Sequence, residues 1–155
     1  MYVSSFDKHE TNELHTVPTG SNSNETNHRL VQCCLLNARS IVNKLNEFYF
    51  IIYSTFSSMY FITESWLSED INTGLIDPLS KYTVIRKDRG TTRHGGVAAL
   101  VSREFEVVTI DLDITFSDLE IIGFDVFCYG NCVRVFVVYR PPHYDSVAQH
   151  YIWTT

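Results

Sequence analysis

The sequence predicts one mixed α/β domain, and three observations lead to that prediction. An apolar run, an amphipathic helix and a second apolar run follow one another over residues 30–63, in the order of a βαβ unit. The second half alternates short β-rich runs with turn signals. The chain has 155 residues, of which 45% are hydrophobic and 19% charged, enough to bury a core.

The first half supplies the βαβ unit. Residues 30–36 form a short apolar run suited to a buried strand, and Ser40 is a candidate N-cap for the helix that follows. A helix over 41–57 is predicted because apolar residues recur at spacings of three and four. That stripe consists of Ile41, Leu45, Phe48, Ile52 and Phe56. Residues 59–63 are the second strand, which should run parallel to the first.

The second half is predicted to be strands joined by loops. The loops are 68–80 and 87–94, and the strands are 82–86, 95–101, 106–110, 119–129 and 132–139. Gly130 and Asn131 form a two-residue hairpin signal, and Pro141 ends the last strand. Residues 1–28 are polar and without apolar periodicity, so we expect disorder there and a domain over 29–155.

Composition narrows the classes of function. The net charge is −6 and the pI about 5.4, so any contact with nucleic acid must come from a local patch. No apolar run is long enough for a membrane span and no signal peptide is recognisable, so an intracellular location, nuclear or cytoplasmic, is expected. The four cysteines lack zinc spacing, and buried or half-buried free thiols are the expectation.

Two polar residues follow the first two strands. Asn37 comes after the first and Glu64 after the second, and parallel strands bring such ends together. An amide and a carboxylate side by side can bind a hard divalent cation through oxygen. The alternative is that Asn37 is a turn residue and Glu64 a solvated surface acid.

Three further features carry weaker signals. Five of the twelve Lys and Arg residues lie within 81–93, in a segment that either contacts phosphates or is a solvated loop. Gly95 and Gly96 fit no phosphate-binding motif and indicate an unusual turn or a close approach. Tyr139 ends a long apolar strand, where it is either a core-edge residue or a hydrogen-bond donor to phosphate.

Taken in order, these segments resemble a known family. Residues 36–40 (LNARS), followed by 43–45 (NKL), resemble the opening of the endonuclease domain of non-LTR (LINE-type) retrotransposons. The resemblance continues at 62–67 (ITESWL), 82–89 (with RKDR at its end), 94–98 (HGGVA) and 138–142 (VYRPP). It implies an α/β sandwich of the endonuclease/exonuclease/phosphatase (DNase I-like) type, related to apurinic-site endonucleases.

The resemblance also implies a chemistry: a Mg²⁺-dependent phosphodiesterase that nicks target DNA to prime reverse transcription. Glu64 would ligate the metal, Asn37 would orient the phosphate or a metal-bound group, and Tyr139 would lie near the scissile phosphate. Weaker candidates for DNA contact are Arg39, Arg86, Arg89, Arg93 and Arg140.

The family's later motifs, Gly-Asp-Phe-Asn and Ser-Asp-His, do not occur in this sequence. We therefore expect an incomplete, truncated domain with one Mg²⁺ site of low occupancy, and activity lower by several powers of ten. The intact element would supply the missing half and a reverse transcriptase domain. Two alternatives are open: a partner chain or dimer that completes the site, and a non-catalytic DNA- or protein-binding module using loop 81–94. The sequence does not decide the oligomeric state.

Overall fold

The computed structural model describes residues 30–90, 94–112 and 119–140, and these form two β-sheets and one α-helix. The disorder expected for residues 1–28 concerns a segment outside these ranges. The strands are β1 (Cys33–Asn37), β2 (Met59–Thr63), β3 (Tyr82–Lys87), β4 (Val97–Ser102), β5 (Glu106–Ile110), β6 (Glu120–Cys128) and β7 (Asn131–Tyr139). Helix α1 is Leu45–Thr55, preceded by a 3₁₀ turn at Val42–Lys44.

The first sheet has the strand order β1-β2-β4-β3 and contains the predicted βαβ unit. β1 and β2 run parallel, with Asn37 paired to Thr63 at their carboxyl ends. β4 is antiparallel to both β2 and β3. Every residue of β2 is buried, because this short apolar strand lies inside the sheet with a packed layer on each face.

Helix α1 is shorter than predicted. It ends at Thr55 because Phe56 adopts a left-handed conformation, with φ of 49°. Phe48 and Ile52 pack against the first sheet, whereas Phe56 points to solvent at 75% exposure, so the last member of the predicted stripe was wrongly placed in the core. The Ser40 hydroxyl accepts a hydrogen bond from the Asn43 amide, but the N-cap positions of the 3₁₀ turn and of α1 are Ile41 and Lys44, so the prediction of Ser40 as the helix N-cap was wrong.

The second sheet is an antiparallel meander of β5, β6 and β7. The hairpin between β6 and β7 turns at Tyr129 and Gly130, one residue earlier than the sequence indicated. Both residues have positive φ, 50° and 82°, as a two-residue type I′ turn requires. Asn131 is already the first residue of β7, paired to Cys128.

The two sheets pack face to face and α1 covers the other side of the first sheet. Between the sheets lies a core from β2, β4, β6 and β7 that includes Phe61, Ala99, Phe124 and Val137. A second core joins α1 to the opposite face of the first sheet. The predicted α/β fold built from two sheets is therefore confirmed.

In the described ranges, no helix has the length and apolar character needed to cross a membrane.

Of the four cysteines, Cys128 is buried and Cys34 partly buried, but Cys33 and Cys132 are exposed, so the expectation of buried or half-buried thiols was wrong for these two.

Candidate active site

The polar residues singled out in the sequence lie at one end of the sandwich. The carboxyl ends of β1, β2 and β3 share an edge with the start of β4, because β4 alone runs in the opposite direction. The second sheet contributes the end of β7 and the start of β6, since Tyr139 and Glu120 are register partners. Side chains from both sheets can therefore meet at this edge.

Asn37, Glu64 and Tyr139 meet at a single oxygen atom. The Asn37 side-chain amide donates a hydrogen bond to Glu64 Oε1 at 3.0 Å. The Tyr139 hydroxyl donates to the same Oε1, also at 3.0 Å. Glu64 is therefore held from the first sheet by an amide and from the second by a phenol, and the alternative of Glu64 as a purely solvated surface acid is wrong.

Backbone hydrogen bonds continue past the strand ends and fix the loops that hold Glu64. The amide of Ser40 donates to the Glu64 carbonyl at 3.0 Å. On the other side, the amides of Ser65 and Trp66 donate to the carbonyls of Gly96 and Gly95, at 3.0 and 2.8 Å. The loop after β2 is thus bonded on both sides, and little conformational freedom is left to Glu64.

Several residues of these loops adopt backbone conformations that L-amino acids seldom occupy. φ is positive at Arg39, Ser40, Glu64 and Trp66, all of them non-glycine residues. Such conformations cost about 1–3 kcal/mol each and concentrate at functional sites, where surrounding contacts maintain them. Glu64 has φ of 51°, and its carboxylate accepts hydrogen bonds from Asn37 and Tyr139.

Glu120 is a further site residue that the sequence analysis did not single out. It is 6% exposed, and its Oε2 accepts a hydrogen bond from the Gly96 amide at 2.5 Å. Its Oε1 lies 3.2 Å from Arg89 Nε. The sequence signal was an acid at the start of a mostly apolar strand that also contains Asp125. The residue opposite Glu120 could not be identified before the register of β6 and β7 was known.

Burial and neighbouring groups raise the pKa values of Tyr139 and Glu120. Burial, together with the hydrogen bond to Glu64, raises the pKa of Tyr139 to about 12, so the phenol keeps its proton and acts as a donor even in moderately alkaline solution. Burial also raises the pKa of Glu120, and the neighbouring Glu64 adds to this, although the Gly96 amide and Arg89 act in the opposite direction.

The oxygen atoms present suit a hard cation that keeps much of its water. Both hydrogen bonds to Glu64 reach Oε1, and among the described residues none is found to Oε2. Asn37 Oδ1 is buried, and no described residue donates a hydrogen bond to it. One carboxylate with one amide oxygen is a donor set that Mg²⁺ accepts when water or phosphate fills its other positions. No cluster of three or more His, Cys, Asp or Glu side chains suited to a metal occurs in the described ranges.

The basic residues proposed for DNA contact are only partly available. Arg86 lies 3.2 Å from Asp88 and also donates to the Ser68 carbonyl, while Arg89 pairs with Glu120. Arg39 and Arg140 are exposed, and Arg93 lies outside the described residues. The pairing of Arg86 and Arg89 within the protein weakens the alternative of a binding module that relies on loop 81–94.

Glycine is required at both positions of the turn before β4. Gly95 and Gly96 have φ of 104° and 84°. A Cβ atom on Gly95 would collide with Glu120 Oε1, and one on Gly96 would lie 2.5 Å from Ser65 Oγ. The pair therefore allows the close approach that the sequence indicated, between the Glu64 loop and the Glu120 carboxylate.

No protein family matches the chain, and no curated protein matches it. Among solved structures, truncated TDP2 of Caenorhabditis elegans is similar, with 19% identity and a TM-score of 0.49. The match covers 68% of this chain and 44% of that one, so the chain spans less than half of that structure's length. This likeness is too distant to assign the chain to a family.

Proposed function

We propose that the Glu64 site binds a divalent cation and a DNA phosphate, and that the chain derives from a Mg²⁺-dependent endonuclease of the endonuclease/exonuclease/phosphatase (DNase I-like) type. The observation that supports this is the meeting of Asn37, Glu64 and Tyr139 at one carboxylate oxygen. Their sequence motifs resemble the endonuclease domain of non-LTR retrotransposons, whose catalytic residues would lie together in this way.

Each of the three side chains has a role in this proposal. Glu64 offers Oε2 to the cation while its Oε1 is held by two donors. Asn37 offers the unpartnered Oδ1 to the cation or to a group bound to it. Tyr139, whose phenol is protonated at neutral pH as tyrosines ordinarily are, can transfer its hydrogen bond from Glu64 to a phosphate oxygen.

A bound Mg²⁺ would supply Lewis-acid polarisation of the phosphate and stabilisation of the leaving oxygen. Hydrolysis also needs a group that activates water, and His94, the histidine that the described ranges include, packs edge-on against Trp66 with ring centroids 4.3 Å apart. Glu120 is engaged by Gly96 and Arg89. We therefore expect the chain on its own to bind cation and DNA but to nick DNA at background rates.

Two measurements on the purified chain test the proposal. The first is the affinity for Mn²⁺, as a stand-in for Mg²⁺, in the wild type and in Glu64→Ala. The second is nicking of supercoiled plasmid with Mg²⁺, with EDTA and Glu64→Ala as references. Glu106→Ala is the matched control, because Glu106 is an exposed glutamate on β5.

We expect Glu64→Ala to weaken Mn²⁺ binding at least tenfold, as loss of a ligand does, and Glu106→Ala to leave it unchanged. Equal Mn²⁺ affinity in wild type and Glu64→Ala would refute a cation site at Glu64. Nicking that both EDTA and Glu64→Ala abolish would refute the expectation of an inactive chain, and would mean that a further group activates water.

A further inference from the structure

The strand β6 begins with a buried acid that lies beside the candidate site. The Glu120 carboxylate is 6% exposed and stands opposite Tyr139 in the register of β6 and β7. It does not bond to Glu64 directly. Its hydrogen bond goes to the Gly96 amide instead, at 2.5 Å.

The turn formed by Gly95 and Gly96 connects Glu120 to the loop after β2 that contains Glu64. The carbonyls of Gly96 and Gly95 accept the amides of Ser65 and Trp66, the two residues that follow Glu64. A carboxylate on the second sheet thus fixes a turn on the first sheet, and that turn fixes the loop in which Glu64 adopts its left-handed conformation.

A buried carboxylate is unfavourable, so the presence of Glu120 here indicates that its hydrogen bond with the Gly96 amide does more than fill space in the core. Burial of a carboxylate is unfavourable unless partners offset it, and here burial raises the pKa of Glu120 despite the Gly96 amide and Arg89. Among the described residues its Oε1 accepts no hydrogen bond, although Arg89 Nε lies 3.2 Å away as an ion-pair partner. An apolar residue at this position would bury more cheaply but would leave the Gly96 amide without an acceptor.

From these contacts we infer that Glu120 is a positioning residue: through the Gly95–Gly96 turn, it holds the Glu64 loop in the conformation that binds the cation. This inference rests on the proposed function for its consequence, cation binding, but not for the anchoring itself. Glu120 touches neither cation nor phosphate in this role.

The anchoring is tested by amide hydrogen exchange. In Glu120→Ala we expect the amides of Gly96, Ser65 and Trp66 to exchange faster by about tenfold or more, because the turn loses its acceptor and the loop its support. The amides that pair β3 with β4 should keep their protection. Glu120→Gln keeps the side-chain length and one acceptor oxygen, so it should restore slow exchange. Glu120→Asp withdraws the carboxylate by one methylene and should not.

The consequence is tested by Mn²⁺ affinity in the same proteins. Glu120→Ala should weaken binding by about tenfold, as loss of a supporting hydrogen bond behind a ligand does, with Glu120→Gln close to the wild type. Glu106→Ala again controls for the loss of one negative charge from the second sheet. If Glu120 only stabilised the fold, Glu120→Ala would lower the melting temperature, but Mn²⁺ affinity would not fall in Glu120→Ala and recover in Glu120→Gln.

The outcomes separate the two proposals. Unchanged exchange at Gly96, Ser65 and Trp66 in a folded Glu120→Ala protein, or a uniform rise along the whole chain, would overturn the positioning role. If Glu64→Ala binds Mn²⁺ as well as the wild type does, the proposed function fails, and the exchange rates alone still decide whether Glu120 anchors the loop.

Discussion

The Tyr139 hydroxyl donates a hydrogen bond to Glu64 Oε1 at 3.0 Å, although the two residues lie 75 positions apart in the sequence. Tyr139 belongs to the second sheet and Glu64 follows a strand of the first. This hydrogen bond therefore joins the two layers of the sandwich at the candidate site. Because the acceptor is a carboxylate, it belongs to the stronger class of hydrogen bonds.

A double-mutant cycle should measure the coupling of these two residues. We expect the free energies of unfolding of Tyr139→Phe, Glu64→Ala and the double variant to be non-additive by about 1 kcal/mol, in the range for a partly exposed bond to a charged acceptor. Urea unfolding gives each value. Tyr53→Phe, an exposed tyrosine on α1, combined with Glu64→Ala should be additive. If the changes in unfolding free energy at Tyr139 and Glu64 are additive within error, the hydrogen bond contributes no coupling free energy to stability.

The sequence was sufficient to predict those parts of the fold that depend on local patterns. The apolar runs over 30–36 and 59–63 predicted two parallel strands joined by a helix, and the structure has them. Asn37 and Glu64 were predicted neighbours for the same reason, since each follows one of these strands and parallel strands end at one edge.

Glu120 could not be predicted because its role depends on strand register. The sequence placed the turn at Gly130 and Asn131, which would pair Tyr139 with Ile122. The turn lies one residue earlier, so Tyr139 pairs with Glu120. A one-residue error in a hairpin turn thus concealed the only buried acid of the second sheet within the described residues.

Three glycine-to-alanine substitutions should separate backbone strain from steric overlap. Gly90→Ala meets open space without a positive φ and should be close to neutral. Gly130→Ala also meets open space but has φ of 82°, so it should cost about 1–2 kcal/mol. Gly96→Ala combines φ of 84° with a Cβ 2.5 Å from Ser65 Oγ, so overlap should add about 1–3 kcal/mol.

Urea unfolding of the three variants supplies the ranking. A Gly96→Ala variant no less stable than Gly130→Ala would mean that Ser65 moves aside at no cost, and that the contact between the Glu64 loop and the glycine turn is loose. Such a result would also weaken the role inferred for Glu120.

Asn37→Asp should make stability depend on a divalent cation. The substitution replaces the amide that donates to Glu64 Oε1 with a second carboxylate, so without metal it should cost about 1–3 kcal/mol. A cation that bridges the two acids offsets this repulsion and stabilises the folded state by mass action. The rise in melting temperature on adding Mg²⁺ should therefore be larger for Asn37→Asp than for the wild type. Asn46→Asp, on the exposed face of α1, is the control. An equal rise in all three proteins would argue against a cation site beside Asn37.

Tyr82 should make the protein sensitive to alkaline pH. The side chain is 9% exposed, packs edge-on against Tyr60 and donates to the Ser57 carbonyl, and burial, then Tyr60 and Asp77, raises the pKa of its phenol. Because the folded-state pKa lies above the unfolded value of about 10, this stabilisation is complete below about pH 10 and is lost as the pH rises toward the folded-state pKa. Titration of Tyr82 should therefore lower the free energy of unfolding by up to about 1.4 kcal/mol per pH unit, because the unfolded chain releases the proton first.

Tyr82→Phe should be less stable than the wild type near pH 8, because it lacks the hydroxyl, but it should lose less stability between about pH 9 and about pH 11. Tyr129→Phe, which removes the hydroxyl of an exposed side chain at the turn between β6 and β7, should follow the wild-type curve. If Tyr82→Phe and the wild type lose stability in parallel over this range, the alkaline sensitivity arises elsewhere in the chain.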